Sequence, residues 1–395
     1  MKKNILGILL AFLFLTSCVV YVPYEGEGGP PPQRPPSEDR YDVGDRDAGP
    51  YETDIDYFYE YLSPYGIWVS LSSYGYVWVP SRVGPRWRPY TYGRWVWTNY
   101  GWTWVSYYEW GWVPFHYGRW GWDGRLGWFW VPDTAWAPAW VTWRWGNLYI
   151  GWAPLPPNVA FIPGVGIRDV RLDFPHSHWI FIEGRYFQYD YLDRYVLPFE
   201  RNPTIINFTV RKANLSMRNR QVINDGVDID QIRRLTRTEV SRYQLEDARR
   251  PGESRVRGNT VDIYRPVVRK SEAAKPVSAV PEARAEERVR EIRKDELEGR
   301  ASSADIERRL RDEQDREMKL LEQSQRREEA ELRRRADDEK KLAASAAEKE
   351  KAEKEYEVKA KELNRSHQDE KSKINERHEE EKKAVKGRIK KKGEN

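Results

Sequence analysis

The chain of 395 residues holds one Cys, three Met and five His. A single cysteine excludes any disulfide within the chain, so no covalent cross-link assists folding. The longest uninterrupted apolar run, residues 5–15, is too short to stay in a bilayer as a spanning helix. No G-x-S-x-G, Walker, H-E-x-x-H or dinucleotide fingerprint is present, which removes the common signatures of hydrolases, nucleotidases, zinc proteases and dehydrogenases. The acidic residues Asp123, Asp133 and Glu109 have no spacing that singles out a glycosidase-like pair. His176 and His178 would share a strand face, half of a metal site, but no third ligand lies at a suitable interval and a surface loop is the stronger reading. His116 has Thr91 as its counterpart in the neighbouring repeat, which argues against a required imidazole. With 67 basic and 62 acidic side chains the net charge is only +5, so nothing points to nucleic acid. The expectation is a protein without cofactor, metal or catalytic residue.

Tryptophan is what the chain has in plenty. All but one of its 19 Trp lie between Trp68 and Trp152, and the outlier is Trp179. Four segments, starting at Gly66, Gly93, Gly118 and Ala139, follow one plan: a small residue, an aromatic run, a turn, then a second aromatic run ending near proline. A period of about 25 residues belongs to repeats in which each unit is one supersecondary element. Trp95 alternates with Trp97, Trp102 with Trp104, and Trp128 with Trp130, so each pair falls on one face of a strand. Thr98-Asn99-Tyr100-Gly101 and Asp123-Gly124 supply turns, and Pro80, Pro114, Pro132 and Pro154 end the ladders. The unit is therefore a β-hairpin. A buried indole removes up to about 250 Å² from water, enough for such units to build a core unaided by disulfides.

The strings LSPYGIWV (62–69), YGRWVWTNYGWTWVS (92–106), WGWVPFHYGRW (110–120), GWFWVPDTAWAPAWVTWRW (127–145) and GWAPLPP (151–157) resemble a bacterial envelope family. That family is known only as a Trp/Tyr-rich domain of unknown function, sometimes found in proteins with FecR-like regions. The resemblance implies an envelope setting. It brings no reaction, cofactor or site residue with it.

Taken in order, residues 1–18 read as an export signal, with Lys2 and Lys3 before the apolar run. Its end, Leu15-Thr16-Ser17-Cys18, looks like a bacterial lipobox, which makes Cys18 the acylated N-terminus of the mature chain and the membrane a partner through its lipid. No acidic residue follows Cys18 closely, which favours an outer-membrane lipoprotein. Residues 19–52 form a Pro/Gly-rich tether. The Trp-rich β domain runs over 53–215, with a short helix at 55–62 and further strands at 159–162, 167–172, 179–183 and 205–210. Residues 216–268 read as a small α+β appendix: a helix at 228–235 capped near Asp228, and strands at 240–245 and 256–264 around Gly258-Asn259.

A linker at 269–301, marked by Pro276 and Pro281, leads to a long charged helix over 302–388 and a basic tail at 389–395. Ser302 and Asp305 suggest its capping box, and pairs such as Glu307/Arg311 and Glu350/Lys354 support it at i,i+4. Unbroken, it would reach about 125 Å at about 1.5 Å per residue. Leu310, Leu321, Leu332 and Ala343 recur every eleven residues, the period of a straight or right-handed coil. The stripe is thin, so a lone helix, a self-associating coiled coil and a disordered tail all stay open.

The fold class expected is a mainly β repeat domain of aromatic-packed antiparallel hairpins, with a small α+β appendix and a long C-terminal charged helix. The leading function is a lipid-anchored envelope scaffold or interaction protein. The alternative is a carbohydrate-binding module for peptidoglycan or surface polysaccharide, with Trp102, Trp104, Trp128, Trp130, Arg94 and Arg119 as the candidate site. A hydrolase is the weakest reading. Repeat regularity favours indoles that stack on one another across strands over indoles left open to ligand.

Overall fold

The computed structural model describes residues 51–84, 86–159, 161–162, 166–167, 174–212, 215–219, 221–298 and 303–393. The export signal, Cys18, the tether up to residue 50, Ser302 and most of the strand expected at 167–172 lie outside the described residues.

Each of the four repeats is an antiparallel hairpin. The strands are Gly66–Leu71 with Gly75–Pro80, Gly93–Thr98 with Gly101–Ser106, Arg119–Asp123 with Gly127–Val131, and Val141–Trp145 with Tyr149–Pro154. In register, every hairpin sets one Trp directly opposite another: Trp68 and Trp78, Trp95 and Trp104, Trp120 and Trp130, Trp143 and Trp152. None of these eight rings is more than 2% exposed. The returning strand of the first three begins on a glycine with positive φ (Gly75 +72°, Gly101 +79°, Gly127 +72°), a conformation that strains any residue with a Cβ. Two residues before the first paired Trp stand Gly66, Gly93 and Gly118. A Cβ on each would lie 2.5–2.6 Å from the facing indole, which explains the small residue at the head of those three repeats.

The hairpins do not stack in chain order. The first and third share a five-stranded sheet, joined where Trp78 faces Trp130. The second and fourth belong to different sheets and meet through their rings, with Trp95 4.6 Å from Trp143 and 5.6 Å from Trp152. The joints between hairpins fill the space between the two groups: Trp110 lies 5.1 Å from Trp78, and Phe115 lies 6.4 Å from Trp104 and 6.0 Å from Trp120. Indole N–H groups bond to joint carbonyls, Trp130 to Tyr117 at 2.7 Å and Trp152 to Tyr90 at 3.0 Å, so the rings also fix the path of the chain.

Helix α1 (Asp56–Leu62) buries Phe58 and Leu62 against this core. The segment expected as a strand at 205–210 is instead helix α2 (Asn202–Asn207) followed by the short strand Val210–Lys212. Pro203 sits in the first helical turn, where its missing N–H costs nothing. Helix α3 (Ile229–Thr236) is capped by Asp228, whose carboxylate accepts from the amides of Asp230 and Gln231. The strands of 216–268 extend the second hairpin's sheet, Gln221–Asn224 beside its returning strand and Arg242–Asp247 beside its first. The described part of the stretch read as linker, residues 269–298, carries regular structure as well. Val280–Pro281 pairs with the first hairpin, and helix α4 (Glu282–Glu298) packs Ala285 and Val289 on Val69, Val77 and Phe129.

The long charged helix is two helices, α5 (Ser303–Leu342) and α6 (Ala346–Gly393), folded back on each other. Ser345-Ala-Ala-Glu348 forms a capping box: the Glu348 amide donates to Ser345 Oγ, and the Glu348 carboxylate accepts from the amides of Ala344 and Ser345. That S-x-x-E is visible in the sequence, hidden among alanines that favour a continuous helix. At about 1.5 Å per residue the arms are about 60 and 70 Å, not one rod of 125 Å. Between the arms the eleven-residue spacing recurs: Gln314 donates to the His378 carbonyl and Gln325 to that of His367, and Glu317 meets His378 as Glu328 meets His367. Leu310 and Leu332 are only half-buried. Among the described residues no helix is long and apolar enough to cross a membrane.

Candidate functional site

The aromatic residues named from the sequence are structural in placement. Trp102 is 1% exposed, Trp104 and Trp130 are fully buried, and Trp128 is 8% exposed. Trp102 is sealed by Phe187 at 4.8 Å and donates to the Val227 carbonyl at 2.7 Å. Arg119 is 5% exposed, lying 3.4 Å over the Trp140 ring, and burial draws its pKa down to about 10. Arg94 pairs with Asp190 at 2.5 Å, an oxygen that also accepts from the Tyr107 hydroxyl. These six residues do not converge on one surface. Their ring faces are occupied by other rings, so any sugar-binding reading has to rest on a different indole.

One indole is open. Trp122 is 52% exposed, the one exposed Trp among the described residues. It stands opposite Trp128 at the turn end of the third hairpin. The His178 ring lies 5.8 Å from Trp122 and 5.0 Å from Trp128. His176 to His178 form a 3₁₀ turn, as the loop reading had it rather than a shared strand face, with Pro175 before them and Asn202 holding their backbone. Asn202 Nδ2 donates to the carbonyls of His176 at 2.6 Å and Trp179 at 2.8 Å. Burial lowers the His178 pKa. Among the described residues no three His, Cys, Asp or Glu side chains gather as a metal ion would need.

A second constellation, unanticipated by the sequence reading, joins the helical hairpin to the β body. Arg201 ends a 3₁₀ turn just before α2 and is fully buried. It donates to Glu328 Oε1 at 2.6 Å and to Glu370 Oε2 at 3.1 Å, one carboxylate from each helix. The Tyr149 hydroxyl donates to Glu328 Oε1 at 2.8 Å, His367 Nε2 lies 2.7 Å from Glu328 Oε2, and Thr204 donates to Glu370. Burial opposes the Arg201 charge, but Glu328, Tyr149 and Glu370 outweigh it and hold its pKa above the ordinary value. For Glu370 burial wins over Arg201, and its pKa is raised.

Further along the hairpin, Glu317 takes Arg86 at 2.9 Å, Arg377 at 2.8 Å and His378 at 2.7 Å, and Arg377 also reaches Glu200 at 2.6 Å. Burial pushes the Glu317 pKa up, but Arg86, Arg377 and His378 outweigh it and leave it lowered. Arg327 reaches Glu183 at 3.2 Å, and Asn147 donates to Glu331 at 3.2 Å. This face is a clamp of charges and hydrogen bonds, with Leu320 packed on the apolar cluster that holds Tyr149 and Phe181. A polar stripe at eleven-residue spacing on α5 was its sequence signal.

The acidic residues weighed for glycoside chemistry are engaged separately. Asp123 accepts from the Arg125 and Leu126 amides in its own turn, Glu109 accepts from the Tyr65 hydroxyl, and Asp133 faces Lys270 at 3.7 Å. His116 is fully buried with Nδ1 2.9 Å from the Ala137 carbonyl, and burial lowers its pKa to about 4.

Fold and site together define an aromatic-cored β protein with a helical hairpin clamped to its side. Residues 59–159 match the model of a family of unknown function, DUF6600. No curated protein and no solved structure matches the chain.

Proposed function

We propose that this chain is a scaffold and interaction protein of the bacterial envelope, anchored through lipid on Cys18 in the outer membrane, with no chemistry of its own. The observation that carries the reading is the way the tryptophans are used. The eight paired indoles are spent on one another, and the body they build holds a charged helical hairpin through buried ion pairs. Such a construction suits a rigid support that presents a long charged surface to other envelope components. Leu15-Thr16-Ser17-Cys18 supports the anchor.

The scaffold reading is tested by binding to purified cell-wall sacculi with Trp102→Ala and Trp128→Ala. Large-to-small changes at buried aromatic positions cost about 3–5 kcal/mol, so both variants should lose stability first. A variant that keeps its melting temperature while losing sacculus binding favours a carbohydrate-binding module instead. Cys18→Ser tests the anchor: palmitate labelling and flotation with membranes should both disappear, and their persistence would exclude a lipid on that thiol.

A further inference from the structure

The four hairpins offer an internal comparison. Next to each buried Trp pair lies an outer cross-strand pair, nearer the turn: Ser70 with Tyr76, Trp97 with Trp102, Trp122 with Trp128, and Trp145 with Ile150. In the second hairpin Phe187 covers Trp102, and in the fourth Trp145 is 8% exposed. In the third, Trp122 keeps half its surface in water, with the His178 imidazole at its side. Packing accounts for the indoles of the second and fourth hairpins and leaves that of Trp122 unexplained.

The surroundings of Trp122 are built rather than loose. Asn202, itself fully buried, fixes the backbone on both sides of His178, and Arg88 donates to the same Trp179 carbonyl at 2.9 Å. The backbone that carries the imidazole is therefore fixed and its ring lies against Trp122 and Trp128, which lowers the entropy lost on binding. His176 and Ser177, both exposed, place further hydrogen-bonding groups beside it in the same turn. The charges in the adjacent β-turn offset each other, with Arg125 Nε 3.4 Å from Asp123 Oδ1. An open aromatic face with a neutral polar rim fits a ligand that is apolar on its flat side, hydroxylated at its edge and uncharged.

We propose that Trp122 and His178 form a binding platform for a neutral pyranose ring of a glycan, the sugar's C–H face on the indole and a hydroxyl on the imidazole. The electron-rich indole face attracts the weakly positive C–H bonds, as it attracts cations. A proline-rich peptide would want a row of parallel aromatic grooves, and only one indole is open here. The proposal goes beyond the scaffold reading, because a rigid support needs no sugar site.

The test is calorimetric titration of the full-length chain in mild detergent with oligomers of N-acetylglucosamine, glucose and mannose, and with a polyproline peptide. At least one oligosaccharide should bind saturably. Trp122→Ala should weaken that binding about tenfold or more, as loss of an aromatic anchor does, and Trp122→Phe should restore part of it. His178→Ala should weaken it about fivefold, the worth of one hydrogen bond. Both alanine variants should melt with the native chain. The proposal is overturned if no oligosaccharide binds, if only the peptide binds, if Trp122→Ala binds as tightly as the native chain, or if Trp122→Ala melts several degrees lower and so marks the ring as packing.

Discussion

Replacing Arg201 by Met asks whether buried charge holds the helical hairpin to the body. Arg201 and Glu328 are fully buried and Glu370 is nearly so, with one guanidinium serving both carboxylates. Methionine matches the length of the side chain and removes its charge, leaving two acids facing each other away from water. Removing one partner of a buried pair costs about 3–5 kcal/mol, a rise of about 150- to 5,000-fold in the undocked population. Hydrogen exchange read by mass spectrometry should report it as lost protection along α5 and α6, with the Trp-bearing strands protected as before. Adding Glu328→Gln and Glu370→Gln should recover most of the loss, since the amides still bond to Tyr149, Thr204 and Gln325 without an unpaired charge. Exchange in Arg201→Met within about threefold of native would refute the clamp, because a difference below about 1 kcal/mol is what an exposed pair gives. Protection lost equally in the Trp strands would show that Arg201 supports the body rather than the hairpin.

Three further outcomes follow from single sites. His116 has its pKa lowered to about 4 by burial, so below its ordinary value of about 6.5 the unfolded chain takes up a proton that the native chain refuses. Stability is full above pH 6.5 and falls as pH drops towards 4, by about 3 kcal/mol in all. His116→Asn, which keeps a donor for the Ala137 carbonyl, should flatten urea-derived stability across that window, and an unchanged slope would exclude His116 as the cause. Gly93→Ala puts a Cβ 2.3 Å from the Val105 carbonyl oxygen and 2.6 Å from the Trp104 ring, whereas Gly84→Ala meets nothing within 4 Å. Chemical denaturation should show Gly93→Ala less stable by about 3 kcal/mol and Gly84→Ala within about 0.5 kcal/mol of native, and equal effects would argue against close approach of glycine to indole. Within the helical hairpin trypsin should cut first after Lys341, beside the break between α5 and α6, and Ser345→Ala should speed that cut severalfold by removing about 1 kcal/mol of capping.

Local order was legible in the chain. The alternation of Trp95 with Trp97 and of Trp102 with Trp104 assigns strand faces, glycine marks the turns, and Asp228 announces α3, because each depends on a few neighbouring residues. Pairing between distant elements was not. Nothing in the spacing says that the first hairpin pairs with the third while the second meets the fourth, since all four present the same Trp pair and any two could match. Only closure of the whole chain around Trp110 and Phe115 selects one arrangement. The charged helices show the same division: local propensity gives helix on both sides of Ser345, but a stripe of Gln314, Glu328 and Glu331 reads as solvated until Arg201, Tyr149 and Asn147 are brought against it. Charge on a helix has no meaning for burial by itself; its partner, nearly 130 residues away in the chain, decides whether it faces water or holds two elements together.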